Sequence, residues 1–283
     1  MYHFTPFSLN IKRHLLWCDR PQVMGIINVT PDSFFSSSRT EQESAIKSRV
    51  EEMIASGVDM IDIGAYSSRP GAEEVPVDEE LSRLQRGIAA VRKIAPEIPI
   101  SIDTFRAEVA EKAIVDMGAD IINDISGGTL DPAMEETAVK LNVPYILMHM
   151  RGTPSSMSSM TEYNDVTADV LADLGEKINR LALAGLNDII VDPGFGFAKT
   201  FEQNYELLRN LNLFQILERP LLVGVSRKSM IYRALDTTPQ NALTGTIAAN
   251  TIALCNGASI LRVHDVKEAV ETVKIVTMTY HDL

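Results

Sequence analysis

The chain has 283 residues, 45% of them hydrophobic and 23% charged, which is the composition of an ordinary globular protein. Its formal net charge of −12 argues against non-specific nucleic-acid binding, although a few local cations can still bind a small anion. No apolar run approaches the roughly 20 residues that span a bilayer, and no signal peptide is recognisable, so we expect no membrane partner. The two cysteines, Cys18 and Cys255, suit a reducing compartment and predict a cytoplasmic protein.

Eight short apolar runs recur along the chain. Each has about 4–7 residues and is rich in Ile and Val, which is typical of strands buried on both faces. The runs are VMGIINV (23–29), DMIDIGA (59–65), IPISID (98–103), DIINDIS (120–126), PYILMHM (144–150), DIIVDPG (188–194), PLLVGVS (220–226) and ASILRVH (258–264).

Segments with helical spacing of apolar residues separate these runs. Residues 41–57 end at Gly57, a typical C-terminal stop, and their predicted buried face carries Ile46, Val50, Met53 and Ile54. Further segments of this kind are residues 77–95, 106–119, 132–143, 169–185 and 241–258, and a last helix is expected over 265–280.

Eight strands alternating with about eight helices, without a second core, predict an α/β fold of the TIM type. We expect one eight-stranded parallel barrel with outer helices, forming a single domain over residues 1–283. Residues 1–22 are expected to cap the bottom of the barrel. A doubly wound sheet is the alternative.

In a TIM-type barrel, the carboxyl-terminal ends of all strands meet at one mouth. The predicted strand ends carry Asn28, Asp62, Asp103, Asn123 with Asp124, Met148 with His149, Asp192, Gly224 followed by Arg227 and Lys228, and Arg262 with His264. Each alone has an ordinary structural explanation, such as a helix cap, a turn or a core histidine. Together at one mouth they predict a binding site, because buried polar groups are costly unless they have partners.

The predicted mouth contains two kinds of chemistry. Asp103, Asn123 and Asp192 can accept from and donate to a flat, nitrogen-rich heterocycle. Arg262 and His264 lie two residues apart on one strand and point the same way, and with Lys228 they form a cationic corner suited to phosphate.

Two further features fit a ring and a phosphate ligand. Asn28 offers an oxygen to a hard cation such as Mg²⁺, which prefers few protein ligands and phosphate oxygens. In VDPGFGFAK (191–199), Gly194 and Gly196 let the chain turn away sharply, so that Phe195 or Phe197 can flank a ring.

Eight motifs in chain order resemble the dihydropteroate synthase family of folate biosynthesis. They are MGIINVTPDSF (24–34), SSRPG (67–71), SIDT (101–104), IINDIS (121–126), LMHMRGTP (147–154), VDPGFGFAK (191–199), LLVGVSRKSMI (221–231) and ILRVHDV (260–266). One motif alone is weak, but all of them in order over nearly the whole chain are highly specific.

The resemblance implies a transferase that condenses 6-hydroxymethyl-7,8-dihydropterin diphosphate with 4-aminobenzoate, releasing 7,8-dihydropteroate and diphosphate. It further implies a sulfonamide target, a homodimer and Mg²⁺ bound at Asn28. The implied catalytic residues are Asp103, Lys228, Arg262 and His264. The implied pterin site comprises Asp103, Asn123, Met148, Asp192 and Lys228, with Arg262 and His264 at the diphosphate. The rest of the implied substrate site comprises Gly224, Arg69 and the residues bordering aminobenzoate, Ser68, Pro70, Phe197, Lys228 and Ser229.

The chain departs from the family pattern in its loops. Ser68 replaces Thr, Tyr66 stands where Glu is typical, and Ala198 replaces Gly. The first loop has SFFSSS in place of SFSDGG and lacks the acid expected near position 36. Our hypothesis is that these changes alter the affinity for aminobenzoate or sulfonamides.

Two other functions remain open at this stage. A methyltetrahydrofolate–corrinoid methyltransferase shares the barrel and the pterin-binding set, but it does not need Arg262, His264 and Lys228 gathered at a diphosphate. A non-catalytic pterin-binding paralogue is consistent with the acid missing from the first loop.

Overall fold

The structure is a computed structural model that describes residues 4–30, 39–66 and 75–280. Its strands are β1 (Phe7–Ile11), β2 (His14–Cys18), β3 (Gln22–Asn28), β4 (Met60–Gly64), β5 (Ile100–Asp103), β6 (Ile121–Asp124), β7 (Tyr145–Met148), β8 (Ile189–Asp192), β9 (Leu222–Val223) and β10 (Ile260–Val263). Its helices are α1 (Arg39–Ala55), α2 (Val77–Ile94), α3 (Ala107–Val115), α4 (Met134–Leu141), α5 (Val166–Leu183), α6 (Phe201–Arg209), α7 (Ser229–Ala234), α8 (Leu243–Cys255) and α9 (Val266–Tyr280).

The strands β3 to β10 form a barrel of parallel strands surrounded by the helices. Their order is β8-β7-β6-β5-β4-β3-β10-β9, so sequential strands are neighbours except where β3 pairs with β10. A bridge between Val191 and Leu221 joins the two ends of this order, and the Val191 amide donates to the Pro220 carbonyl oxygen at 2.9 Å. The predicted TIM-type fold is confirmed, because a doubly wound sheet would leave these two edges apart.

The strand predicted at residues 220–226 is much shorter than expected. Only Leu222 and Val223 have strand geometry, since Gly224 follows and the chain then turns. The Lys228 amide donates to the Val225 carbonyl oxygen at 3.1 Å, and Arg227 has a left-handed backbone with a φ of 55°. The prediction of a full-length strand was therefore wrong, and the turn carries Lys228 to the barrel mouth.

On seven of the eight barrel strands, the side chains that point into the barrel form two layers. Because strand side chains alternate, residues two apart point the same way. The lower layer is an apolar cluster of Met24, Met60, Ile121, Ile146, Ile190, Leu222 and Ile260. Two residues further along, the same strands carry Ile26, Asp62, Asn123, Met148, Asp192, Gly224 and Arg262. The upper, largely polar layer therefore lies at the carboxyl-terminal ends of the strands, which form the barrel mouth.

The antiparallel hairpin of β1 and β2 covers the lower layer. Leu9 and Ile11 are buried and belong to the same apolar cluster as the lower layer. The Asn10 amide also donates to Asp188 Oδ2 at 2.6 Å, which ties the hairpin to the start of β8. The opposite face of the hairpin exposes Leu15 and Trp17.

The outer helices pack on the outward-facing strand residues. In α2, the buried residues Leu81, Leu84, Ile88 and Val91 recur at helical spacing. In α1, Ile46, Val50 and Met53 are buried as predicted, whereas Ile54 is 37% exposed. Ile54 directly follows Met53 and is therefore rotated about 100° away from it around the helix. Among the described helices, none combines the length and apolarity that a membrane crossing requires.

Candidate active site

Arg262 lies at the centre of the barrel mouth, between two carboxylates. Its Nε donates to Asp62 Oδ2 at 2.7 Å, and its Nη2 lies 2.6 Å from Asp62 Oδ2 and 2.7 Å from Asp103 Oδ2. Strands β10, β4 and β5 supply these three residues, because the barrel brings their upper halves together. Such charge-assisted hydrogen bonds hold the guanidinium in one orientation.

Asp103 titrates near neutral pH in this surrounding. Burial raises the pKa of its carboxyl to about 7, although the neighbouring Arg262 guanidinium opposes the shift. The Asp62 carboxylate adds to the rise, since two nearby negative charges repel each other. Asp103 can thus exchange a proton near pH 7.

Asn123 and Asp124 follow each other on β6 and face opposite ways. Asn123 faces the mouth, where its Nδ2 lies 3.3 and 3.2 Å from the two Asp62 oxygens. Asp124 faces away and accepts hydrogen bonds from Ser126 and from the Tyr145 hydroxyl, the latter at 2.7 Å. Only Asn123 is therefore available to a ligand in the mouth.

Asp192 and Lys228 are a buried acid and a buried amine whose charges influence each other and are influenced by Arg262. Burial raises the pKa of the Asp192 carboxyl, and the Lys228 charge is the main opposing influence. Burial lowers the pKa of the Lys228 amine to about 8, and Asp192 opposes that shift. The Lys228 amine donates to the Phe195 carbonyl oxygen and lies 4.8 Å from the centre of the Phe197 ring. Lys228 therefore contacts the loop predicted to border aminobenzoate.

The loop after β8 is held by a buried lysine that the sequence reasoning missed. Lys199 is only 8% exposed, and its Nζ lies 3.0 Å from the Gly194 carbonyl oxygen and 3.1 Å from that of Phe197. Its third neighbour is His149 Nδ1, at 3.1 Å. Burial lowers the pKa of Lys199 to about 7 and that of His149 to about 2, so His149 is neutral here.

Glycine is required at position 194 of this loop. Its φ is 73°, and a Cβ there would lie 2.0 Å from the His149 carbonyl oxygen. The Gly194 amide donates to Asp192 Oδ1 at 2.8 Å, so the turn also orients the carboxylate. Ala198 has a φ of 49°, a left-handed conformation that costs an alanine energy and a glycine little. Its side chain packs in an apolar cluster with Met148, and Phe197 lies against that cluster.

His264 lies at the end of β10, above Arg262. Its amide donates to Ser226 Oγ at 3.1 Å, and its carbonyl oxygen accepts from Arg49. Burial, followed by the charge of Arg262, lowers the pKa of the imidazole to about 4. Without a bound anion, His264 is neutral near pH 7, so the charge of the predicted cationic corner comes from Arg262 and Lys228.

The remaining predicted residues lie around the rim of the mouth or outside the described residues. Gly224 is beside Arg262, since a Cβ on it would lie 3.9 Å from the Arg262 Cβ. Ser229 is the first residue of α7, directly after Lys228. Asn28 ends β3, and together with Arg49 and His264 it lines a cavity of about 420 Å³. Ser68, Arg69 and Pro70 fall outside the described residues, as does the SFFSSS loop.

Tyr66 is the one departure in the second loop that the structure describes. Its ring lies edge-on to Phe105, with 5.2 Å between the ring centres, and the Arg106 guanidinium lies 5.3 Å from its centre. Arg106 also pairs with the buried Glu80 at 2.7 Å. The aromatic ring therefore takes part in packing beside β5, where a glutamate would add another negative charge close to Glu80.

Comparisons with known proteins agree with this geometry. The family model described as pterin binding enzyme matches residues 24–264, and the chain therefore belongs to that family. A dihydropteroate synthase of Escherichia coli (strain K12) is 44% identical over 92% of this chain and 92% of its own. The resemblance to dihydropteroate synthase drawn from the motifs is thus confirmed.

Solved structures give the same result. The Xanthomonas albilineans dihydropteroate synthase with 4-aminobenzoic acid superposes with a TM-score of 0.90 at 36% identity, covering 99% of this chain and 100% of that one. The Yersinia pestis dihydropteroate synthase in a sulfonamide drug complex gives a TM-score of 0.88 at 39% identity, covering 96% and 99%.

Proposed function

We propose that the protein is a transferase that condenses 6-hydroxymethyl-7,8-dihydropterin diphosphate with 4-aminobenzoate, giving 7,8-dihydropteroate and diphosphate. The observation that carries this proposal is the meeting of Asp103, Asn123, Asp192 and Arg262 at one barrel mouth. The related enzymes named dihydropteroate synthase, one with 4-aminobenzoic acid and one with a sulfonamide, support it.

The ring-binding part of the site is rich in hydrogen-bond acceptors. Asp103 and Asp192 present carboxylate oxygens, and Asn123 presents its amide oxygen, to the amino and N–H groups of a pterin. Met148 is buried in the apolar cluster beside Phe197 and offers a surface for one face of the ring. A flat ring with several N–H donors therefore fits this part of the mouth.

The cationic corner serves the leaving diphosphate. The bond between the pterin methylene carbon and the diphosphate oxygen breaks, and the electron pair leaves with the diphosphate. Arg262 and Lys228 stabilise this charge as positive groups, and neutral His264 can donate an N–H. The aminobenzoate nitrogen bonds to the methylene carbon and releases one proton. This reaction needs no covalent intermediate with the protein.

We assign Mg²⁺ to Asn28 as part of this proposal. Within the described part of the chain, no group of three or more Asp, Glu, His and Cys residues could hold a metal. A single amide oxygen at the barrel mouth fits Mg²⁺, which binds through few protein ligands together with phosphate oxygens and water. When bound, the ion would neutralise negative charge on the diphosphate.

Aminobenzoate is assigned to the rim formed by Phe197, Lys228 and Ser229. Ser68 and Pro70, which lie outside the described residues, are assigned to it from the resemblance alone, as Arg69 is to the substrate site. The Lys228 amine lies above the Phe197 ring and can attract the aminobenzoate carboxylate. This rim borders the pterin site, because the charges of Lys228 and Asp192 influence each other.

Assembly and location belong to the same proposal. Ile252 on α8 and Ile275 and Met278 on α9 are exposed, and these helices pack against each other. This apolar surface supports the homodimer that the resemblance implies, and sedimentation equilibrium tests it. The free cysteines Cys18 and Cys255 fit the cytoplasm.

One assay separates the three functions weighed from the sequence. The protein is incubated with the pterin diphosphate, aminobenzoate and Mg²⁺, and dihydropteroate is the expected product. Binding of the pterin diphosphate without product would identify a non-catalytic paralogue. Corrinoid-dependent demethylation of methyltetrahydrofolate would instead identify a methyltransferase.

A further inference from the structure

We propose that Asp62 is a positioning residue that fixes the orientation of the Asn123 amide and so determines which ring edges the site accepts. The inference deepens the proposed function and rests on it. Asp62 lies in the middle of β4, two residues before its last residue, Gly64, and its side chain is 0% exposed. It bonds to two groups that face the mouth, Asn123 and Arg262.

The Asn123 amide has a donor end and an acceptor end of nearly the same shape. With Nδ2 towards Asp62, the amide donates to the carboxylate at 3.2 and 3.3 Å. The opposite orientation would place the amide oxygen against the carboxylate oxygens, and no solvent reaches Asp62 to compensate. A hydrogen bond to a charged group favours the first orientation by about 10- to 100-fold. Asp62 therefore holds Oδ1 towards the mouth.

A fixed amide makes all three ring-facing side chains acceptors. Within the described residues, no group donates to Asn123 Oδ1, so this oxygen is available to a ligand. Asp103 and Asp192 add carboxylate oxygens on neighbouring strands. The site consequently selects a ring edge that presents N–H groups and disfavours one that presents ring acceptors. Without Asp62, the amide could turn its NH₂ towards the ring and this selection would weaken.

Asp62 also contacts Arg262. If Asp62 is lost, Arg262 keeps another carboxylate partner, whereas Asn123 keeps none within the described part of the chain. Arg262 keeps a second carboxylate partner in Asp103, at 2.7 Å. For Asn123 Nδ2, the acceptors that the described structure provides are both oxygens of Asp62. Loss of the Asp62 charge should therefore disturb ring recognition more than anion binding.

The test uses a donor–acceptor exchange. Asp62→Asn removes the charge and should weaken binding of unphosphorylated 6-hydroxymethylpterin about 10- to 100-fold in calorimetry. Binding of inorganic diphosphate with Mg²⁺ should not weaken, because loss of the Asp62 charge removes a competitor for the Arg262 guanidinium. In the double variant Asp62→Asn with Asn123→Asp, the new amide donates to the new carboxylate, which still presents an oxygen to the ring. This variant should recover at least about tenfold in pterin affinity.

Asp124→Asn is the matched control. Asp124 is a buried carboxylate on β6 that faces away from the mouth and bonds to Ser126 and Tyr145. Its substitution should lower the melting temperature and leave the pterin Kd within about threefold of wild type. It therefore separates loss of a buried carboxylate in general from loss of the one that orients Asn123.

Several results would overturn the inference. These are an unchanged pterin Kd in Asp62→Asn, equal losses for pterin and diphosphate, or no recovery in the exchange variant. Circular dichroism and thermal melts establish folding in each case. Should Asp62→Asn not fold, the exchange variant decides alone, since it keeps both the charge and the hydrogen bond, and its failure to fold or bind counts against the inference. Product formation by the wild type tests the proposed function separately.

Discussion

The lower and upper halves of the barrel interior are built from the same strands, yet they have opposite chemistry. On β8, Ile190 belongs to the apolar lower layer, whereas Asp192 stands two residues later among the charges of the mouth. On β10, Ile260 and Arg262 repeat the arrangement. Two residues of strand span about 7 Å, so stability and binding are separated by very little chain.

The two halves also differ in what burial does to them. In the lower half, burial under the hairpin residues Leu9 and Ile11 removes apolar surface from water and stabilises the fold. In the upper half, burial raises the pKa of Asp103 and lowers that of Lys228, because it disfavours charge. Mutations in the lower half should therefore act on folding, and mutations in the upper half on binding.

The largest expected effect comes from the lower half. Ile190→Ala should lower the free energy of unfolding by about 2–5 kcal/mol, because it leaves a cavity among fully buried side chains. Urea denaturation measures this change, and the pterin Kd of the folded variant should stay within about threefold of wild type. A large loss of pterin affinity at unchanged stability would contradict the division between the halves.

On the same strand, Asp192→Asn should act on binding. The substitution replaces one acceptor of the carboxylate with a donor, so pterin affinity should fall by about 1.5–3 kcal/mol. Calorimetry with unphosphorylated pterin measures it, and Ile190→Ala is the control on the neighbouring layer. An unchanged pterin affinity would remove Asp192 from the ring site.

A smaller effect should appear as a pH dependence. The pKa of Asp103 is about 7 because the group is buried, so its carboxylate form gains a proton as the pH falls through 7. Protonation removes an acceptor from the ring site, and pterin affinity should fall by up to about fivefold from pH 7 to pH 6. Calorimetry across this range should show a flatter profile in Asp103→Asn. A wild-type profile that is flat, or that rises towards low pH, would contradict the assignment.

The smallest expected effect concerns Ala198. Ala198→Gly relieves a left-handed conformation worth about 1–2 kcal/mol. It also loses a buried methyl worth about 0.8 kcal/mol and gains about 0.5–1 kcal/mol of chain entropy in the unfolded state. The free energy of unfolding should thus change by less than about 1 kcal/mol, which thermal melts can measure. A sulfonamide affinity altered more than about threefold would show that this methyl matters to the aminobenzoate rim.

The sequence could predict the barrel and the strand ends, because continuous apolar runs mark buried strands and parallel strands share one mouth. It placed Asp62 at the predicted mouth but could not show which groups this residue orients, since its partners Asn123 and Arg262 come from β6 and β10. Lys199 was missed for a similar reason, because its acceptors are backbone carbonyls that only the folded loop brings together. Likewise, the residue type of His264 does not reveal that burial keeps it neutral.

The paired state of Arg262 has a consequence for ligand exchange. An entering anion competes with Asp62 and Asp103 for the guanidinium, so part of its attraction offsets the weakening of an internal ion pair. The same pair re-forms when the anion departs, which lowers the barrier to clearing the pocket after each turnover. Asp62 and Asp103 thus compete with the diphosphate product for Arg262. The buried guanidinium therefore has an anionic partner both with and without bound diphosphate.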